Sequence, residues 1–255
     1  MKLALSNLAW DYKESIDIFN FIKKNNINNI ECVLTKIDDW SNLNSDLINE
    51  YSNFINGYGI KTNSMQSLFF GLDINSLNDY EIIVNHIDNL INYSKILGIN
   101  TMVFGSPNLR KKYIGWEGDL IRLFNVIDSI LDYTNITMVI EPNASIYGGE
   151  YFLTLDEIID FIEYNKFVNI KTMIDTHNLI LENNDPVIEL LKYKDYIKHI
   201  HISEKNLDLF KTNEMHRRFS NQLNKIDYKG IVTYEVKKQD NLLDSIVEFS
   251  KIYNQ

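Results

Sequence analysis

The chain has 255 residues, 45% of them hydrophobic, with 25 Lys and Arg against 35 Asp and Glu and a net charge of -10. That much apolar material supports one large packed core. The acidic balance opposes docking on a phosphate backbone, so no nucleic-acid partner is expected. A lone cysteine, Cys32, excludes a disulfide framework and a thiolate metal site and reads as a small core residue, consistent with a reducing cytoplasm. The N-terminus lacks the pattern of a signal peptide and no apolar run approaches the ~18 residues of a membrane span, so a cytoplasmic chain without a membrane partner is expected. With 3 prolines, 10 glycines and no low-complexity segment, the expected organisation is one domain over 1–255.

In chain order, an apolar strand at Leu3 to Leu8 precedes a helix over Glu14 to Lys24, with Ile16, Phe19 and Ile22 at helical spacing. A strand at Ile30 to Leu34 is followed by a helix through Leu47, Tyr51 and Ile55 that ends near Gly57 and Gly59. Lys61 to Leu68 is a weaker strand, Asp79 to Leu97 a long helix stopped by Gly98, and Thr101 to Phe104 a strand. The second half repeats the rhythm: helix Asp119 to Tyr133, strand Met138 to Glu141, helix Leu155 to Tyr164 after a Thr154 cap, and strand Lys171 to Asp175. Then come helix Pro186 to Lys194, strand Ile197 to Ile202, helix Met215 to Ile226, strand Ile231 to Val236 and helix Leu242 to Tyr253. Eight β-α units in about 250 residues predict a closed (β/α)8 TIM barrel of the α/β class. A doubly wound open sheet is the alternative, but the first β-α connection carries no Gly-rich phosphate turn.

In such a barrel the chemistry sits at the C-terminal ends of strands. The apolar run Met138-Val-Ile140 delivers Glu141 immediately before Pro142, which cannot continue a ladder. Asp175 ends the sixth strand, His201 lies near the end of the seventh and Glu235 near the end of the eighth. The intervals, 175 - 141 = 34, 201 - 175 = 26 and 235 - 201 = 34, are one β-α unit each. Three carboxylates brought that close repel in a low-dielectric pocket, and a divalent cation held by Glu141, Asp175, His201 and Glu235 resolves the repulsion. The oxygen-rich donor set points to Mn²⁺ or Mg²⁺, with Co²⁺ and Zn²⁺ as further options.

Six segments together carry a resemblance: Leu5-Ser-Asn-Leu-Ala-Trp10, Val103-Phe-Gly-Ser-Pro107, Ile140-Glu-Pro-Asn143, Ile174-Asp-Thr176, His199-Ile-His-Ile-Ser-Glu204 and Tyr234-Glu235. The chain resembles the sugar phosphate isomerase/epimerase superfamily, the xylose isomerase-like barrels that include ketose 3-epimerases and endonuclease IV. The resemblance implies that the four residues hold one divalent ion and that Glu141 and Glu235 exchange a proton with the carbon next to a carbonyl. It also implies a small-molecule sugar or sugar phosphate as substrate. Isomerisation, epimerisation and inosose-type dehydration share this enediolate chemistry. An endonuclease IV-like phosphodiesterase and a non-catalytic sugar-binding barrel are the alternatives from other classes. Gln66 and Ser106 stand near strand ends where those nucleases carry histidines, which counts against the first. The sequence leaves open whether copies of the chain associate.

Expected substrate contacts are Asn7, Gln66, Ser106, Arg110, Asn178, Glu204 and His216. Ser106 and Arg110 follow the fourth strand on the catalytic rim and could grip a hydroxyl-rich or anionic group. Relatives often carry His where this chain has Asn178, and an amide binds a hydroxyl but is no base near pH 7. His216 is expected to help close the same rim, on which Lys36 and Lys205 could contact a phosphate or carboxylate, each singly reading as solvated. Trp10, Phe69 and Trp116 could form a sugar-stacking wall and Glu31 could line the pocket. His199 is expected to support His201 from below, and His86 to pack.

Overall fold

The computed structural model describes residues 1–74 and 76–254. Strands β1 (Lys2–Ser6), β2 (Asn29–Cys32), β3 (Lys61–Met65), β4 (Thr101–Phe104), β5 (Thr137–Ile140), β6 (Ile170–Asp175), β7 (Ile197–Ser203) and β8 (Ile231–Glu235) pair in sequence order. Every pair is parallel, and β1 closes the barrel on β8. Between the strands run α1 (Ser15–Lys24), α2 (Ser45–Gly57), α3 (Tyr80–Leu97), α4 (Trp116–Leu131), α5 (Leu155–Asn165), α6 (Thr176–Leu181), α7 (Pro186–Tyr193), α8 (Glu214–Lys225) and, after β8, α9 (Leu242–Tyr253). The (β/α)8 architecture predicted from strict alternation is therefore the one observed.

Side chains alternate across each strand. One set, including Leu5, Ile30, Phe104, Ile140, Ile200, Ile202 and Tyr234, packs into a continuous core with the helices. The other set points to the axis, where Val103, Val139 and Met173 form a small separate apolar layer. On β2 and β7 the axial positions are Glu31, His199, His201 and Ser203, all buried. The barrel interior thus turns from apolar on one side to ionisable on the other, within the same pleat.

Several strands end earlier than their apolar runs do, each for a local reason. The run Leu3 to Leu8 stops at Ser6, whose hydroxyl accepts from the Leu8 N–H and starts a 3-10 turn over Asn7–Ala9. β3 ends at Met65, because Ser67 adopts φ 56°. Beyond the predicted helices, α6 follows Asp175 directly. Asp175 caps it by accepting from the Asn178 N–H at 2.7 Å. Among the described residues, no helix is long and apolar enough to cross a membrane.

Candidate active site

The C-terminal ends of four consecutive strands bring Glu141, Asp175, His201 and Glu235 together. The register sets this directly: Asp175 is level with His201, and Ser203 with Glu235. Nδ1 of His201 lies 3.2 Å from Glu141 Oε1, 3.3 Å from Glu235 Oε2 and 4.0 Å from Asp175 Oδ2. One ligand atom from each of the four residues falls within 4.8 Å of all the others. All four side chains are buried, so their mutual repulsion is little screened.

The electrostatics follow from that crowding. Burial and then the Glu141 and Glu235 carboxylates push the Asp175 carboxyl up to about 8. Burial also raises Glu235, despite His201 beside it. At Glu141 burial acts the same way but is outweighed by His201, Asn143 and Arg110, so its carboxyl sits below the usual range. Burial would lower His201, yet Glu31, Glu235 and Glu141 hold it well above the ordinary imidazole value. In the metal-free chain the cluster therefore retains protons that a divalent cation would displace. Three carboxylates and one imidazole, buried and converging, fit such a cation.

Each ligand is itself held. Asn143 Nδ2 donates to Glu141 Oε2 at 2.9 Å, while the Asn143 Oδ1 is buried with no hydrogen-bond partner among the described residues. The Ser203 hydroxyl lies 2.8 Å from both oxygens of Asp175. Glu31, wholly buried on β2, places one oxygen 2.6 Å from His199 Nε2 and the other 2.7 Å from His201 Nε2. Burial would raise its carboxyl, but His201 and His199 hold it well below the usual carboxylate range. Gly105 is a glycine for want of room: a Cβ there would stand 2.6 Å from Glu141 Oε2.

The expected substrate contacts divide. Gln66, which donates to Ser6 Oγ at 2.7 Å, and Ser106, at φ 46°, line a cavity of about 450 Å³ together with Glu141 and Glu235. Asn178 sits in the first turn of α6 beside Asp175, its Oδ1 3.5 Å from the Ala144 N–H.

Four expectations are corrected. Arg110 is fully buried rather than on the rim; its guanidinium donates to the carbonyls of Glu141 (2.7 Å), Phe104 (2.7 Å) and Phe152 (3.2 Å), joining β4, β5 and the following loop. Burial lowers it to about 10 against the pull of Glu141. His216 is also fully buried and turns to the outer helix layer, with Nδ1 2.9 Å from the Tyr253 hydroxyl and Nε2 3.0 Å from Glu204 Oε1, so its rim role is withdrawn. Glu204 is thereby occupied by His216 and by the Lys211 N–H at 3.3 Å. Asn7 commits both ends of its amide to Val33, accepting from its N–H at 2.7 Å and donating to its carbonyl at 3.3 Å.

Of the three proposed stacking aromatics only Phe69 lines the cavity, joined by Phe70. Trp10 is core against Phe19, and Trp116 stacks on Tyr151 between α4 and α5. His86 packs as expected, edge-on to Trp40 and with Nε2 2.7 Å from the Leu68 carbonyl. The sequence reading gave no role to Asn143 or Ser203 and placed Glu31 only at the wall. The alternation 199, 201, 203 on β7 was the available signal for Ser203.

A closed barrel of eight parallel strands with converging ionisable groups at the C-terminal strand ends is the architecture of a (β/α)8 enzyme. The chain belongs to the xylose isomerase-like TIM barrel family, whose family model matches residues 19–252. No curated protein matches by sequence. Among solved structures it is similar to 3-keto-D-glucoside 4-epimerase from E. coli (TM-score 0.78, 18% identity, 98% of this chain and 99% of that one). It is also similar to a D-tagatose 3-epimerase-like protein (0.77, 18%, 100% and 98%). A third neighbour is an AP endonuclease, family 2, from Brucella melitensis (0.75, 14%, 98% and 99%). At these identities the likeness speaks for the fold.

Proposed function

We propose that the protein is a divalent-metal-dependent isomerase or epimerase acting at a carbon next to the carbonyl of a small sugar or sugar derivative. The observation that carries this reading is the convergence of Glu141, Asp175, His201 and Glu235 within 4.8 Å at the mouth of the barrel. Mn²⁺ suits the donor set best, with Mg²⁺, Co²⁺ and Zn²⁺ as alternatives. A bound cation supplies the positive charge that stabilises an enediolate.

The chain's own residues do the rest. Glu141 and Glu235 border the cavity and provide carboxylates that take a proton from the substrate carbon and return it. In the metal-free chain their surroundings differ, with His201, Asn143 and Arg110 holding the Glu141 carboxyl below its ordinary range and burial holding that of Glu235 above it. Gln66 and Ser106 line the cavity and Asn178 stands next to Asp175 in α6, offering amide and hydroxyl groups suited to sugar hydroxyls, and Asn143 Oδ1, without a hydrogen-bond partner among the described residues, offers a further acceptor. Asp175 and His201 serve as ligands without a proton-transfer role. A phosphodiesterase reading has less support, because among the described residues the two groups that could hold a cation, Glu31, His199 and His201 and then Glu141, Asp175, His201 and Glu235, share His201, where a multi-metal nuclease needs several independent sites.

The test is solvent isotope exchange. Wild-type protein with Mn²⁺ should incorporate deuterium from heavy water into a ketose at the carbon adjoining its carbonyl. It should bind about one ion per chain, since a metal site fixes its ligand stoichiometry. No exchange across a panel of ketoses and their phosphates, or three ions per chain, would count against the reading.

A further inference from the structure

The space around Glu235 has two arms. One is the 450 Å³ cavity described above, reaching toward Ser106 and Glu141. The other is a groove of about 900 Å³ that runs from Glu235 over Val33 to Lys36, Asp39 and Trp40. Five residues line both arms: Ser67, Phe70, Gly71, Leu72 and Glu235. Each arm by itself falls within the range of a small-molecule site of about 300–1,000 Å³, so the first is already large enough for one sugar. The second is room that one sugar ring does not use.

Phe70 stands at the junction, 74% exposed, although large aromatic side chains are ordinarily drawn inward. The turn that presents it is well fixed. Ser67 adopts φ 56°, Gly71 φ 82°, and the Phe70 N–H donates to the Ser67 carbonyl at 3.1 Å. Trp40 Nε1 donates to the Phe70 carbonyl at 2.7 Å, tying the turn to the far wall of the groove. An aromatic ring held in this way at a junction offers an apolar platform for the C–H face of a pyranose.

The charges of the groove identify what it would take. Lys36 is its cation, and Lys36 Nζ is paired with Asp11 at 3.2 Å. Asp39 lines the same groove, while Glu235 at its end belongs to the metal site. A phosphate there would meet the Asp39 carboxylate and a lysine already paired with Asp11, which disfavours it. A neutral, hydroxyl-rich ring meets an aromatic face with polar groups along its edge.

We propose that the substrate is a glycoside: a ketose or keto-sugar reacting between Glu141 and Glu235, with a second pyranose seated across Phe70 in the Lys36–Trp40 groove. This rests on the isomerase or epimerase reading for the identity of the reacting unit, while the second arm stands on its own geometry. Calorimetric binding to the full chain, with Mn²⁺ and again with chelator, tests it. The probes are fructose, fructose 6-phosphate and three ketose disaccharides of different linkage (lactulose, turanose and isomaltulose). At least one disaccharide should bind tenfold or more tighter than fructose, and Phe70→Ala should bring that ratio close to one. Phe70 is exposed, so its truncation opens no core cavity, and circular dichroism verifies the fold of the variant. Fructose or fructose 6-phosphate binding as tightly as every disaccharide, or an unchanged ratio in Phe70→Ala, would overturn the proposal. Because binding is read without turnover, a chain that prefers disaccharides yet exchanges no deuterium would refute the isomerase reading and leave the second arm standing.

Discussion

Glu31 reaches His201 from beneath the site, its Oε1 2.7 Å from Nε2, so that Nδ1 is the nitrogen left facing Glu141 and Glu235. A carboxylate behind a ligating imidazole fixes both its tautomer and its orientation. The same carboxylate also holds His199, 2.6 Å away, so both oxygens are engaged. Glu31→Gln keeps the shape but presents an amide N–H₂ to one of the two imidazoles. We expect Mn²⁺ affinity to fall by about 10- to 100-fold, read by competition with a fluorescent chelator. Unchanged affinity would mean that Glu31 only fills the barrel.

Arg110 differs from a rim arginine in what its loss should affect. Lysine is a point charge on a flexible stem and cannot serve the carbonyls of Glu141, Phe104 and Phe152 from one planar fork. Arg110→Lys should therefore lower stability by about 2 kcal/mol in urea unfolding. If the residue instead met substrate, KM would rise while the unfolding midpoint stayed in place.

Metal affinity should climb with pH through 8. Asp175 must be ionised to act as a ligand, yet burial and its carboxylate neighbours hold its carboxyl up to about 8, so protons compete below that value. The sign for the metal-free chain is the reverse. Between the ordinary carboxylate range and about 8 the folded state binds more protons than the unfolded one, so stability without metal falls as pH rises through that window. Titrations with Mn²⁺ at pH 6, 7, 8 and 9, paired with thermal unfolding in chelator, check both trends. A metal affinity independent of pH would contradict the assignment of Asp175.

His86 supplies a separate pH signal. Burial lowers its imidazole below the usual value, and the Leu68 carbonyl only partly restores it. The folded state thus favours the neutral ring, which donates from Nε2 to that carbonyl at the foot of the Phe70 turn. Its contribution is complete above about 6.5, the unperturbed imidazole value, and is lost as pH falls toward the lowered folded value. Thermal unfolding of His86→Gln should show a shallower loss of stability between pH 7 and 5 than wild type does. Parallel curves would remove His86 from the account.

Barrel topology was legible because strict β-α alternation at this length admits few solutions, and the spacing of Glu141, Asp175, His201 and Glu235 placed them on adjacent strands. A position on the rim does not fix where a side chain points. Arg110 and His216 both follow strand ends, but each finds buried partners closer than the cavity: three carbonyls for one, Tyr253 and Glu204 for the other. Glu31 was seen only as a wall residue because its importance depends on pairing between β2 and β7 across the barrel, a contact that periodicity along one strand does not encode. The helix α6 was missed because its cap is Asp175 itself, which the sequence marks as a ligand.

The central claim is that Glu141 and Glu235 move a proton at the substrate carbon, and isotope exchange in two variants tests it most directly. Glu141→Gln and Glu235→Gln keep the size of each side chain but remove its basicity. Exchange of solvent deuterium into a ketose substrate is measured at saturating Mn²⁺, with circular dichroism verifying the fold. The account predicts that each variant loses exchange by at least about 100-fold, the lower bound for a positioned general base. Exchange at the wild-type rate in both variants would contradict it.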